Sequence, residues 1–475
     1  MPSTASAAVS RRLSVAVLSL LSLLLGPATL RATAEDAPPA DPAPGGEDPP
    51  APEGGGEDEG ITKSLDARIG EAVKKGVQWL KGAQLADGSW GLIIGSKTYD
   101  PKGDPNAAYR HPAGSTALAI YALLKCGVAA DDPVVKKGFS FLKSKHKVPG
   151  GAYEMSAMIL AVTATADPFK RSKESAAAGE KVKLVGEYRE WCQKLVDALL
   201  ARRKKANTLG WRYNVADNAP PGGNEDTSST QLAALALLAA DRCGVKADSR
   251  VWNEIITFTL RQQEKTGPDH PRAVWPKKPP GAKAGDSRYA PPPGQGPTLD
   301  KARGFAYILS DQLNADEGKP TGAMTACGIG NLQMARYILA MREDKTYLGR
   351  DLRGLQQSIY DGLAWLDANW SSFANPKKHS ENVYHIYYLY CCERAYDLLG
   401  NMRIGEHTWF PEMAEELLRR QAENGPWNSK STHKPEEVLD TCFALLFLRR
   451  ATQGGIPSPS ITDPSDAAPT DSRGG

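Results

Sequence analysis

Two acidic clusters in this chain stand where chemistry could be done. Glu225-Asp226-Thr227 opens one apolar run, and Asp440-Thr441-Cys442 lies inside another, three residues after Glu437. A carboxylic acid acts as a strong proton donor only in a desolvated, hydrogen-bonded setting. The same residue types at a helix start also serve as N-caps for backbone reasons alone. Around these acids, the starts of several apolar helices bring Thr116, Tyr153, Thr227, Gln231, Met324, Tyr384, Tyr387, Tyr388 and Thr441 toward one end of a shared interior. A concave site lined by aromatics with a few polar groups suits a small ligand. Tyrosine faces stabilise a cation, although tyrosines at helical spacing also form ordinary core.

The elements that must position these residues are announced by a repeat. Gly76-x-x-Trp79-Leu80-x-x-x-Gln84-x-x-x-Gly88-x-Trp90 near the start returns as Leu417-Leu418-x-x-Gln421-x-x-x-Gly425-x-Trp427 near the end. Weaker copies begin at Gly138-Phe139-x-Phe141-Leu142 and Gly362-x-x-Trp365-Leu366. Helical and turn signals alternate between them. The pattern predicts helix pairs over 66–85 and 115–127, 132–145 and 151–165, 185–204 and 226–243, 250–264 and 322–341, 352–369 and 381–399, and 411–423 and 435–450. In each pair the first helix carries charge on one face and the second is small or apolar throughout. The first should border solvent and the second should be enclosed. The expected fold class is all-α: an α/α toroid of about six helical hairpins in two concentric rings, over residues 61–453. A Pro-, Gly- and Lys-rich loop at 267–297 interrupts the rhythm, with Trp275 and Tyr289 as aromatic anchors along the surface or over one ring mouth.

The ends read differently. Arg11 and Arg12, the apolar run from Leu13 to Leu25 and the small residues Ala32-Thr33-Ala34 form a signal-peptide pattern over 1–34, too short to span a membrane. Residues 35–60 hold nine acids and no base among Pro, Gly and Ala, a composition that disfavours folding. The tail 454–475 is similar. The expectation is a periplasmic or extracellular protein that is not integral to the membrane once the signal is removed. Of 58 basic and 55 acidic residues, three arginines and nine acids precede residue 61, leaving the body at about +9. That charge forms no Lys/Arg stripe interleaved with aromatics, so nucleic acid is not an expected partner. The seven cysteines sit mostly on apolar helical patterns, where they behave as small buried residues; the sequence cannot pair them.

The repeat resembles the QW motif of squalene and hopene cyclases, within the terpenoid cyclase and protein prenyltransferase superfamily. Asp226-x-Ser228-x-Thr230-Gln231, the stretch from Tyr388 to Arg394 running on to Ile404-Gly405-x-His407-x-Trp409, and Asp440 to Leu448 are similar to exported bacterial members of that group. The resemblance covers about residues 65–452 and implies the toroid. It carries no activity for that branch. Class II cyclases protonate an alkene with the central acid of Asp-x-Asp-Asp-Thr. On that pattern Glu225 would be the donor beside Asp226, but Gly223 replaces the leading acid. At Asp440 the donor position is Leu439.

Prenyltransferases of the same superfamily bind zinc through Asp-x-Cys and a later His. Asp440 and Cys442 have that spacing, yet no His follows them, and catalytic zinc needs three protein ligands. No metal or cofactor is therefore expected. The leading reading is a non-catalytic scaffold or a module binding an apolar small molecule or a protein partner. The alternative is a cyclase-like enzyme using Glu225 and Asp226, with Asp440 as a further candidate. Elemental analysis of the purified chain should return no stoichiometric zinc; about one zinc per chain, lost in Cys442→Ser, would contradict this.

Overall fold

In the computed structural model, the residues described are 57–91, 93–94, 97–98, 112–166, 182–206, 208–212, 225–275, 296–308, 318–377, 384–400, 402–429 and 437–452. The segments read as signal peptide and tail, and most of the acidic linker, lie outside them, as does Tyr289. Helices alternate between two layers. The outer layer comprises α1 (Glu57–Gly82), α3 (Pro133–Lys145), α5 (Gly186–Ala206), α7 (Ser249–Arg261), α10 (Leu352–Ala368) and α12 (Trp409–Arg420). The inner layer comprises α2 (Pro112–Lys125), α4 (Ala152–Ala164), α6 (Thr227–Arg242), α8 (Gly322–Met341), α11 (His385–Leu399) and α13 (Glu437–Leu448). A single turn, α9 (Lys345–Leu348), precedes α10. Each inner helix packs on the next in the order α2, α4, α6, α8, α11, α13, and α13 packs back on α2. The inner layer is thus a closed ring, and the outer helices lie over it. The chain is an all-α toroid, as the alternation of charged and apolar helices predicts. No described helix is long and apolar enough to cross a membrane.

Helix α1 begins at Glu57, inside the segment read as linker. Among the described residues, three two-stranded ribbons add to the helices: Ile93–Ile94 with Lys97–Thr98 (β1, β2), Asp269–Pro271 with Leu299–Lys301 (β3, β4) and Arg403–Ile404 with His407–Thr408 (β5, β6).

The repeat motif is a junction between neighbouring units. Trp90 and Trp427 are fully buried, and each indole N–H donates to a carbonyl of its own outer helix, Leu80 (2.7 Å) and Leu417 (2.8 Å). Their backbone N–H groups donate to a threonine hydroxyl in the first turns of the inner helix, Thr116 (3.1 Å) and Thr441 (3.0 Å). The glutamine does more than cap its helix. Gln84 Nε2 donates to Gly88 O of its own turn (3.0 Å) and to Val134 O of α3, the next outer helix (2.9 Å). Gln421 donates to Gly425 O (2.8 Å) and to Ala72 O of α1 (2.9 Å), so the last unit grips the first. Gly425 takes φ +112°, a conformation open to glycine, and a Cβ there would stand 2.7 Å from Lys75 O. A Cβ on Gly76 would lie 2.6 Å from Trp427; Gly138 stands to Trp90 in the same way, at 2.9 Å.

Two further copies escape the sequence pattern. At Gly210-Trp211, the Trp211 N–H donates to Thr230 (3.0 Å) and its indole to Leu199 O (2.9 Å). Arg203 replaces the glutamine, reaching Leu209 O (3.1 Å) and Glu254 of α7. At Gly304-Phe305, the Phe305 N–H donates to Thr325 (3.1 Å), and Gln263 donates to Arg303 O (3.1 Å) and to Ser358 O of α10 (2.8 Å). Gln263 and Arg303 are 40 residues apart. The long loop is therefore an insertion into one of these turns, and its two ends pair as β3 and β4 to bring Arg303 back. Of its two expected aromatic anchors, Trp275 is half-buried with Arg272 over its ring.

Of the tryptophans in the repeat, Trp365 is also buried (6 % exposed), whereas Trp79 is only half-buried. Trp427→Ala should lower the unfolding free energy by about 3–5 kcal/mol, because a large cavity opens at the closing junction. Trp79→Ala should cost clearly less. Denaturant titration followed by circular dichroism at the helical minimum measures both.

Candidate functional site

The three candidate acids sit at inner-helix starts and are bound by their own units. Asp226 is the N-cap of α6 and is fully buried. It accepts from Ser229 N (2.6 Å) and Ser229 Oγ (2.8 Å). Burial pushes its carboxyl up to about 6, against the lowering effect of the two Ser229 donors. Glu225 Oε2 accepts from Leu209 N (2.6 Å) and Gly210 N (2.8 Å), tying the Gly210-Trp211 turn to the start of α6. Asp440, in the first turn of α13, accepts from Ser429 N (2.8 Å) and Ser429 Oγ (2.9 Å). Burial pushes it up to about 6 as well, opposed by those two donors and helped by the nearby Glu437 charge.

The residues expected to line a common interior divide. Thr116 and Thr441 accept from the backbone N–H groups of the Trp junctions, and the Thr227 hydroxyl donates to Ala306 O (2.7 Å). Tyr388 is fully buried with its hydroxyl on Ser371 O (3.1 Å). Tyr384 is 44 % exposed and holds φ +60° as the residue before α11, so it leaves the face its spacing implies. Met324 is buried in the first turn of α8. Gln231 is buried with no protein partner for either amide atom among the described residues.

Tyr153 and Tyr387 meet through a residue that the lining prediction omitted. The Tyr153 hydroxyl donates to Ser228 Oγ (2.7 Å), and Ser228 Oγ shares a hydrogen bond with the Tyr387 hydroxyl (2.6 Å). These residues come from α4, α6 and α11, and α4 and α11 stand on opposite sides of the inner ring. The chain of hydroxyls therefore crosses the ring interior. Tyr387 also packs on Phe443 of α13, with ring centroids 5.3 Å apart.

Next to it lies a cluster missing from the predicted site. Cys327 Sγ on α8 is 3.7 Å from the Tyr387 hydroxyl and 3.5 Å from Cys391 Sγ on α11. Arg394 Nη2 donates to Cys391 Sγ (3.1 Å), and its guanidinium carbon lies 4.0 Å from the Tyr390 ring centroid. Arg394 is 1 % exposed. Burial alone would push the Cys391 thiol up. The Cys327 donor, the Arg394 charge and the Tyr387 hydroxyl together hold it below the ordinary thiol value, whereas Cys327 is pushed well above it by burial and by Cys391. The one sequence signal was a charged pair, Glu393-Arg394, in the middle of a helix that must be enclosed. No group of three or more His, Cys, Asp or Glu is placed to hold a metal among the described residues. Asp440 is bound to Ser429 and Cys442 is in the core.

The squalene-hopene cyclase C-terminal domain family matches residues 60–161, the segment that contains the first Gln-Gly-Trp junction, α2, α3 and most of α4. The chain is an α/α toroid that is similar to that family over these residues. Among solved structures it is similar to the type II terpene cyclase MstE from Scytonema in complex with geranylgeranyl dihydroxybenzoate, at 12% identity over 82% of this chain and 98% of that one, TM-score 0.46. It is also similar to the GH76A alpha-1,6-mannanase from Salegentibacter sp. HEL1_6, at 10% identity over 81% of this chain and 99% of that one, TM-score 0.43. No curated protein matches the chain.

Asp226 and Asp440 hold their protons to higher pH in the folded protein than in the unfolded chain. Ionising them therefore costs stability as pH rises from about 4 to about 6, and that cost is fully present above this window. Asp440→Asn keeps an acceptor for Ser429 and removes one of the two titrations. Its unfolding free energy relative to wild type should improve by on the order of 2 kcal/mol between about pH 4 and pH 7. Denaturant melts of both proteins across that range check the sign.

Proposed function

We propose that this toroid is an exported, non-catalytic scaffold or binding module rather than a cyclase. The observation that carries this reading is the Tyr153–Ser228–Tyr387 chain, which crosses the ring interior at the level where the inner helices begin. An enzyme that folds a polyene needs an enclosed apolar space there, and a scaffold can fill its centre with side chains. The candidate acids agree with this. Glu225 holds a turn through two backbone amides, and Asp226 and Asp440 each hold a serine. Alkene protonation demands a complete hydrogen-bonded acid cluster in a dry cavity. The partner, protein or apolar small molecule, would then engage the outer surface, a ring mouth or the inserted loop.

One observation favours the enzyme alternative: Asp226 is fully buried and holds its proton to about pH 6. Incubation of the purified chain with squalene and with oxidosqualene separates the two readings. No cyclised product is expected, and Glu225→Gln and Asp226→Asn should retain the wild-type helical signal. Turnover by the wild-type chain, abolished by either substitution with the fold intact, would replace the scaffold reading with the cyclase one.

A further inference from the structure

Among the clusters outside the candidate acids, the interior thiols carry the most specific chemistry. Cys327 and Cys391 are fully buried on neighbouring inner helices, α8 and α11, with sulfurs 3.5 Å apart. That is van der Waals contact, about 1.5 Å longer than a disulfide bond. Cys392, the next residue, is also buried, but side chains one residue apart on a helix diverge. Arg394 donates to Cys391 Sγ, and its Nε and Nη1 have no protein partner among the described residues. The carboxylates beside it in sequence bond elsewhere, Glu393 to Thr452 N (2.8 Å) and Oγ1 (3.0 Å), and Asp397 to Arg450. A guanidinium is always charged, so burying one calls for a nearby negative charge. Of the groups able to carry it, the Cys391 sulfur is in direct contact with the guanidinium, 3.1 Å from Nη2.

We propose that Cys327 and Cys391 form a reversible disulfide between α8 and α11, with Arg394 as the positioning residue that holds Cys391 as a thiolate in the reduced form. The oxidant is a low-molecular-weight disulfide. The Cys391 thiolate attacks one donor sulfur, the donor S–S bond breaks, and one thiolate departs. Cys327 gives its proton to that thiolate and attacks Cys391 Sγ, expelling the second donor thiolate. Two cysteines are oxidised and the donor disulfide is reduced to one thiol, protonated by Cys327, and one thiolate, which takes its proton from water. Both sulfurs are enclosed in the folded ring, so exchange takes place while the chain folds or when the ring opens.

Arg394 also sets the strength of the bond. The disulfide carries no charge, and forming it leaves the buried guanidinium without its counter-charge. The reduced state is therefore favoured, and the disulfide is more readily reduced than a structural one, as for other disulfides whose reduced thiolate is stabilised. This does not depend on whether the toroid is a scaffold or an enzyme.

The test is to refold the full chain in graded mixtures of oxidised and reduced glutathione, trap thiols by alkylation and map peptides by mass spectrometry. One intramolecular disulfide, Cys327–Cys391, is expected, with Cys392 alkylated. Arg394→Leu should move the half-oxidation point at least about tenfold toward reducing mixtures, and Arg394→Lys should stay near wild type. In the reduced wild-type protein, ultraviolet thiolate absorbance should be present at neutral pH and lost in Cys391→Ser, a readout independent of whether Arg394→Leu folds. A different pairing, no disulfide in oxidising mixtures, an unmoved midpoint in folded Arg394→Leu, or no thiolate signal would overturn the proposal.

Discussion

The closure of the ring depends on one junction. Gln421 donates across from the last unit to Ala72 of the first outer helix, while Trp427 fills the space left by the missing side chain of Gly76. A single amide does two jobs there: it holds its own turn and the neighbouring helix. The same arrangement at Gln84 and Gln263, and with Arg203 in the glutamine's place, sets α1 against α3, α7 against α10 and α5 against α7. In an open solenoid the terminal repeats need polar outer faces. Here the ends meet, so α1 and α13 bury apolar surface against each other.

Once the ring is closed, its interior has to be filled, and what fills it is partly polar. Small and apolar residues make the inner helices pack closely, but Tyr153, Ser228, Tyr387, Cys327, Cys391 and Arg394 meet across them. A buried guanidinium facing sulfur and aromatic rings is an expensive core residue. Hydrophobic side chains of similar volume are often no worse for stability. Such a cluster therefore invites a chemical explanation, and a thiolate partner supplies one. The candidate acids, by contrast, are explained by local backbone demands: an N-cap, a turn anchor and a serine clasp.

The relation between motif and function follows from this division. The Gln-Gly-Trp repeat is architectural, and its residues are consumed in joining units. Function in such a ring is left to what the motif does not use: the interior side chains, the mouths and the insertions. The loop between Gln263 and Arg303 belongs to the last kind. Its two ends are pinned by β3 and β4 and by Gln263, so the junction survives an interruption that hides it from a spacing search.

The sequence by itself determined the helices, their alternation and the toroid, because a 3.6-residue apolar period and a repeated Gly-x-Trp turn are local signals. Among the described residues, eleven of the twelve ring helices fall close to the spans read from it, including 322–341 for α8, and α1 starts earlier, at Glu57. It also identified Asp226 and Asp440 as helix-start acids. What it could not decide was contact between distant helices. The repeat at Gly304-Phe305 is hidden by the insertion and by Phe in place of Trp, and the one at Gly210-Trp211 by the loss of the intervening residue and by Arg203 in place of Gln. Tyr384, Tyr387 and Tyr388 look alike in sequence. The left-handed backbone at Tyr384 and the ring geometry send one to the rim, one across the interior and one onto a carbonyl. Cys327 and Cys391 lie 64 residues apart, and only the packing of α8 on α11 brings their sulfurs together beside Arg394. Periodicity fixes which face of a helix is buried; which residue another helix brings to that face is settled by the closed ring.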